Sequence, residues 1–152
     1  MNDIDEKAPG APDRSWMYDQ AGVIPYRRVR GELQVLLITS RRGKHWVIPK
    51  GIIEPHLEAR HSAVQEAYEE AGVRGSLHPN ASGEYAYRKW GGTCHVQVYL
   101  MRVEEELSDW PESHFRTRRW VSLEEALRII NQEGLRRLLR HISAGEKSDK
   151  EG

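Results

Sequence analysis

The stretch from Gly51 to Val73, GIIEPHLEARHSAVQEAYEEAGV, most limits what this chain can fold into, because its second half reads as a helix with two dissimilar sides. Within QEAYEEAG, Glu66, Glu69 and Glu70 stand at i, i+3 and i+4, offsets that stack on one face of an α-helix. Like charges so placed repel by roughly a few tenths of a kcal/mol per pair. Such a face is either bathed in water or turned towards a cation. Val64, Ala67 and Ala71 project roughly the other way and form a narrow apolar stripe suited to close packing on a sheet. Hard divalent ions such as Mg²⁺ and Mn²⁺ take oxygen donors, and Mg²⁺ is commonly held by a few carboxylates plus substrate phosphates. For an isolated EAYEE, a solvated acidic face is the plain alternative.

The remainder of the chain has room to frame that helix. Its 152 residues suit one domain with a well-formed core. Lys plus Arg and Asp plus Glu number 23 each, so no whole-molecule field points to nucleic acid or a membrane. Any anion binding must come from local basic clusters. The single cysteine, Cys94, excludes an internal disulfide and a cysteine-rich zinc site, and lies in a strand-like segment where a buried thiol is expected. No apolar run approaches the roughly 20 residues of a membrane span. The start, MNDIDEKAPGAPD, lacks a signal peptide's apolar core, and a cytoplasmic protein is expected.

Residues 1–14 read as a loose polar tail, 15–143 as one domain and 144–152 as a polar C-terminal tail. Strands are expected over 18–26, 32–39, 45–48, 83–90, 93–103 and 116–121. Basic turns at 27–31 and 40–44 and a Gly91-Gly92 hairpin lie between them. Gly72 stands where a helix takes a left-handed cap, and Ser122-Leu123-Glu124-Glu125 is a capping box opening a helix through Asn131. Gly134 interrupts before a last amphipathic helix over 135–142. Strands around two helical blocks predict an α/β chain with a mixed β-sheet between helices.

The central stretch resembles the Nudix box, G-x5-E-x7-R-E-U-x-E-E-x-G-U, where U is aliphatic. Gly51, Glu66, Glu69, Glu70, Gly72 and Val73 fall on pattern positions. Leu57 stands where the pattern has its first Glu, Gln65 where it has Arg, and Ala67 at an aliphatic position. The lead-in WVIPKG, Trp46 to Gly51, is also similar, and a weaker likeness runs from about Tyr18 to Ile142. Membership implies an α/β/α sandwich and a hydrolase, dependent on Mg²⁺ or Mn²⁺, of a phosphoanhydride: a nucleoside diphosphate linked to another moiety, a dinucleoside polyphosphate or a diphosphoinositol polyphosphate. It implies Glu66 and Glu70 as catalytic metal ligands, Glu69 holding a second ion or a metal-bound water, and the Lys50 backbone carbonyl completing the cage. A further carboxylate is sought at Glu112 or Glu104 to Glu106.

Thr39 to Gly51 and Phe115 to Ala126 resemble the diphosphoinositol polyphosphate and dinucleoside polyphosphate branch. Arg41, Arg42, Lys44 and Lys50 are the candidate phosphate-binding residues, with Arg88, Lys89, Arg116 and Arg118 as possible additions. Trp90 and Trp110 are candidate base-stackers, although core or interface roles are commoner for a lone tryptophan. His45, His56, His61 and His95 show no metal-ligand spacing and are read as structural. The expected partner is a small phosphoanhydride, without nucleic acid or membrane, and a homodimer stays open. Because Leu57 and Gln65 break the box, a binding or regulatory module without turnover is the alternative. An isomerase comes third, lacking an additional Cys and His set.

Overall fold

The computed structural model describes residues 16–89 and 91–151. The expected tail over residues 1–14, and Trp90 in its base-stacking role, lie outside the described residues. Two long strands, β1 (Trp16–Val29) and β7 (Gly92–Glu106), run parallel at the centre, in register from Trp16 opposite Gly92 to Tyr26 opposite Arg102. The outer edge of each is shared by two shorter antiparallel strands. Along β1 these are β4 (Lys50–Ile52) and then β2 (Glu32–Thr39). Along β7 they are β6 (Gly83–Lys89) and then β5 (Val73–Leu77). β2 also pairs with β3 (Trp46–Val47) and β8 (Arg118–Ser122), giving one mixed eight-stranded sheet.

Strand alternation sends side chains to two separate cores. On one face Ala21, Val23, Leu36, Ile38, Tyr99 and Met101 pack under α1 (Ala59–Glu66) and the π-helical turn Ala67–Ala71 that continues it. On the other, Ile24, Val35, Leu37, Val96 and Val98 meet α2 (Leu123–Ile129) and α3 (Glu133–Glu151). Leu135, Leu138 and Leu139 are the buried i, i+3, i+4 set of α3. Each contributes about 1.5–3 kcal/mol by leaving water. The result is a mixed sheet between helical layers, as predicted. Among the described residues no helix is long and apolar enough to cross a membrane.

Several local expectations shift. Arg27 and Arg28 lie inside β1 rather than in a turn. The turn is Arg30 and Gly31, both at positive φ. β4 and β5 had no counterpart in the periodicity, and Glu104 to Glu106 extend β7 instead of following it. The helix expected to end at Ile142 runs through Glu151, with Gly134 inside its first turn. Arg28 of β1 anchors the extension by a two-bond ion pair to Glu146, at 2.9 and 2.7 Å. The stripe facing the sheet is Ala63, Ala67 and Ala71, all fully buried, while Val64 is 39% exposed. Alanines at i, i+4 and i+8 let the helix approach the sheet closely.

Candidate active site

The segment between β4 and β5 forms its helix without a side-chain N-cap. Pro55 lies ahead of it, and the Ser62 amide bonds back to the Glu58 carbonyl. The other end is tightly held. Gly72 adopts φ 67°, the left-handed conformation that glycine takes without strain. The Trp110 indole donates to the Glu70 carbonyl at 3.0 Å, and Arg118 donates to the Ala71 carbonyl at 2.8 Å. Arg118 lies 4.0 Å from the Trp110 ring centroid. Trp110 and Arg118 therefore cap the signature helix. Trp110 is not a base-stacker in this arrangement, and Arg118 is no part of a basic rim.

The π-helical turn changes which carboxylates meet. A turn closed by i→i+5 bonds holds more residues than an α-turn. The fourth residue onward stays near alignment, but the third falls further from it. Glu70 accordingly remains beside Glu66. Glu69 swings to the outer flank, where its Oε2 accepts from Gln65 Nε2 at 3.0 Å. Among the described residues no group of three or more His, Cys, Asp or Glu side chains is arranged to hold an ion. Of the expected set of Glu66, Glu69 and Glu70, the first and last are a pair lining one cleft, and Glu69 lies on the flank beside Gln65.

That pair sits in a cleft of about 340 Å³ lined by Gln20, Ser40, Arg41, Lys50, Gly51, Glu54, Glu66, Glu70, Tyr87, Lys89 and Arg116, among others. Gly51 leaves room for that pair: a Cβ at this position would lie 2.2 Å from Glu66 Oε2 and displace the carboxyl. Glu70 Oε1 accepts from the Lys50 amide at 3.1 Å, and its Oε2 is 3.5 Å from Arg116 Nη2. The Arg116 side chain is only 7% exposed. It also donates to Glu112 Oε1 at 2.9 Å and to the Thr39 carbonyl at 2.9 Å. Glu112, sought as a further metal carboxylate, is the second anion on Arg116. Glu104, Glu105 and Glu106 are spent on Ser76, Arg74, Trp120 and Arg118.

Burial pushes the Glu66 carboxyl up to about 8, with the nearby charges of Glu70 and Glu69 adding to it. Glu70 is also raised, again first by burial, against the pull of Arg116 and the Lys50 amide. Two carboxyls pressed together out of water, with too little positive charge between them, form a donor set that a hard divalent cation satisfies. Lys50 is lowered, chiefly by burial, and its ammonium lies 5.2 Å from the Tyr87 ring centroid. Tyr87 donates to Gln20 Oε1 at 2.8 Å. Cys94 is buried, and burial raises its thiol, the environment of an inert structural cysteine.

Of the candidate phosphate binders, Arg41, Lys50, Lys89 and Arg116 line the cleft. Arg42, Lys44 and Arg88 are exposed and do not. In the 40–44 turn, Ser40 Oγ accepts from the Lys44 and His45 amides, fixing a tight bend from which one basic side chain enters. For Arg88 and Lys89, β6 alternation decides, because Tyr85, Tyr87 and Lys89 share a face. Tyr87 and Gln20 were missed, and that same alternation was the signal available for Tyr87. His45 meets Asn131 at 3.2 Å, and no histidine lines the cleft.

A family model described as NUDIX domain matches residues 18–142. The chain is 35% identical over 156 aligned positions to Nudix hydrolase 13, mitochondrial, of Arabidopsis thaliana, covering 86% of this chain and 77% of the relative. To the human diphosphoinositol polyphosphate phosphohydrolase 3-alpha it is 32% identical, covering 78% and 76%. A solved Ap4A hydrolase of C. elegans, in a binary complex, superposes with a TM-score of 0.73 at 27% identity, over 86% of this chain and 98% of that one.

Proposed function

Because this chain belongs to the Nudix family of hydrolases, we propose that it is a divalent-metal-dependent hydrolase of a phosphoanhydride. The substrate class is a dinucleoside polyphosphate or diphosphoinositol polyphosphate. The observation that carries this reading is the buried meeting of Glu66 and Glu70 in a cleft whose walls also bear Arg41, Lys50, Lys89 and Arg116. A diphosphate linkage is heavily anionic, so water attacks it only where positive charge stands ready at its oxygens and a base takes the proton. The relatives named for Ap4A and diphosphoinositol polyphosphates support the substrate class.

Glu66 and Glu70 would hold Mg²⁺ or Mn²⁺, with the Lys50 carbonyl as the expected additional donor. When bound, the ion supplies charge to the phosphate oxygens and lowers the pKa of water. The chain's own residues do the rest. The Lys50 amide and the Arg116 guanidinium fix the Glu70 carboxylate. Gly51 leaves room for that of Glu66. Arg116, Lys50, Lys89 and Arg41 align the phosphates and offset the charge that develops as the anhydride bond breaks. A carboxylate of the pair accepts the proton of the attacking water. The cytoplasm is the proposed location, in keeping with the lone buried thiol, although some relatives are named mitochondrial.

A turnover screen tests the reading. Dinucleoside polyphosphates, diphosphoinositol polyphosphates and nucleoside diphosphate sugars are offered with Mg²⁺, and released products are measured before and after excess EDTA. Mg²⁺-dependent release is expected. Turnover unchanged in EDTA would sink the metal mechanism, and no turnover on any substrate would leave a binding module.

A further inference from the structure

The chain contains one phenylalanine, Phe115, and it is used in an unusual way. Its ring does not line the cleft, yet two cations that do line it share the ring. The Arg41 guanidinium lies 4.9 Å from the ring centroid and that of Arg116 lies 5.2 Å from it. The His114 ring meets Phe115 edge-on at 4.8 Å and 83°. Arg116 has other anchors, in Glu112, the Thr39 carbonyl and Glu70. Arg41 is exposed, and among the described residues no side-chain hydrogen bond or ion pair holds it. The ring is what gives it a position.

The backbone makes this geometry rigid. Thr39 and Thr117 exchange bonds at 2.9 Å, the Thr39 amide to the Thr117 carbonyl and the Thr117 amide to Thr39 Oγ1. The Phe115 and Arg116 amides both return to the Glu112 carbonyl. The loop carrying Phe115 is thus laced to the end of β2, from which the bend carrying Arg41 departs. Two guanidiniums near each other repel, and the electron-rich ring face offsets that repulsion. Arg116 touches the carboxylate pair through Glu70, whereas Arg41 is exposed towards solvent, so the ring spans an inner and an outer cation.

We propose that Phe115 is a positioning residue that sets the phosphate-chain length the site prefers, by holding Arg41 and Arg116 in register along an extended polyphosphate. The inference rests on the phosphoanhydride reading and deepens it. A long chain engages both cations. A single diphosphate at the carboxylate pair engages Arg116 and leaves Arg41 idle. Losing the aromatic face frees Arg41 and loosens Arg116, so the penalty falls on long chains.

The test compares Phe115→Leu, Phe115→Tyr and Arg41→Gln with wild type on a dinucleoside diphosphate and a dinucleoside hexaphosphate, with Mg²⁺. Binding of inorganic tripolyphosphate is measured beside it by calorimetry. A cation over an aromatic face is worth about two- to fivefold in affinity at exposed sites and more where water is excluded. Phe115→Leu should therefore lower the hexaphosphate-to-diphosphate ratio of kcat/KM by about three- to tenfold, mostly through KM. Tripolyphosphate binding should weaken in step. Phe115→Tyr should restore both, and Arg41→Gln combined with Phe115→Leu should lose less than the two changes added.

An unchanged ratio and unchanged tripolyphosphate affinity in a Phe115→Leu protein of normal melting temperature overturns the proposal. So does a Tyr variant as poor as Leu. If Phe115→Leu does not fold, an unaltered ratio in Arg41→Gln overturns it equally. A wild type without turnover refutes the hydrolase reading instead, and the calorimetric comparison then decides the role of Phe115 alone.

Discussion

Replacing Gly51 with alanine should remove activity while leaving the fold intact. Gly51 lies in β4 opposite Ala21, and its φ is not in the left-handed region, so an alanine meets no backbone penalty there. The new methyl would stand 2.2 Å from Glu66 Oε2, 2.3 Å from Cδ and 2.8 Å from Oε1. Ordinary contact begins near 3.4 Å, so the carboxyl must retreat by about 1 Å or turn to another rotamer, as a flexible side chain can. Stability should change by less than about 1 kcal/mol, since Gly→Ala at a compatible site often gains a few tenths. Function has no such slack. A displacement of about 1 Å in a reacting site can lower the rate about 100-fold, and loss of a charged transition-state stabiliser has the same order. Thermal melting, Mn²⁺ calorimetry and kcat/KM read the three effects separately. The expected result is near-native melting, Mn²⁺ affinity down by about tenfold or more, and kcat/KM down by about 100-fold. Retained turnover, within about threefold of wild type, would refute the reasoning. So would parallel collapse of melting and activity, because Gly51 would then be a folding residue.

Three further outcomes follow from the same geometry. Burial holds the Glu66 carboxyl up at about 8 in the folded state, above the ordinary glutamate value of about 4.5, so its contribution to stability is fully present below pH 4.5 and lost as pH rises towards 8. Metal-free protein should melt at lower temperature with rising pH across that window, and saturating Mg²⁺ or the Glu66→Gln change should flatten the slope; an unchanged slope in Glu66→Gln would show that Glu66 is not its source. Arg116→Met leaves the part-buried Glu70 and Glu112 without their shared cation. Removing one member of a buried ionic set costs about 3–5 kcal/mol, which urea unfolding would register; a loss under about 1 kcal/mol would mean that solvent already screens the pair. Leu57→Glu with Gln65→Arg should alter kcat/KM by less than about tenfold, against about 100-fold for Glu66→Gln or Glu70→Gln. A wild type silent on every substrate, with turnover appearing only in the double variant, would favour a binding module.

What was legible in the sequence tracks how local each determinant is. The helix of the central stretch, its left-handed cap at Gly72 and the pairing of Glu66 with Glu70 depend on neighbours a turn away, and 3.6-residue periodicity carries them. The Ser122 cap is equally local: its Oγ accepts from the Glu125 amide at 3.0 Å. Features fixed by distant partners were invisible. KGI and VRGSL have little strand character of their own and become β4 and β5 by hydrogen bonding to β1 and β7. The last turns of α3 carry no apolar stripe and are held by Arg28 from the opposite end of the chain. The wide turn at Ala67–Ala71 left no mark in the residue pattern, which stacks Glu69 with Glu66 and Glu70, whereas in the fold Glu69 bonds to Gln65 on the flank.

The same division explains the two departures from the box. In sequence, Leu57 and Gln65 read as a loss of one negative and one positive charge that help to organise the carboxylates. In the fold, Gln65 still donates to Glu69 on the outer flank, while the cation beside Glu70 comes from Arg116, far along the chain. Arg116 is braced in turn by Glu112, so the positive charge is buried with an anion on each side. Such an arrangement holds Glu70 in place without calling on the loop before the helix, where Leu57 is half-buried. Removing both charges of an ionic pair is far cheaper than removing one. With Arg116 steadying the carboxylate from the other side, neutral residues at 57 and 65 are compatible with an intact site.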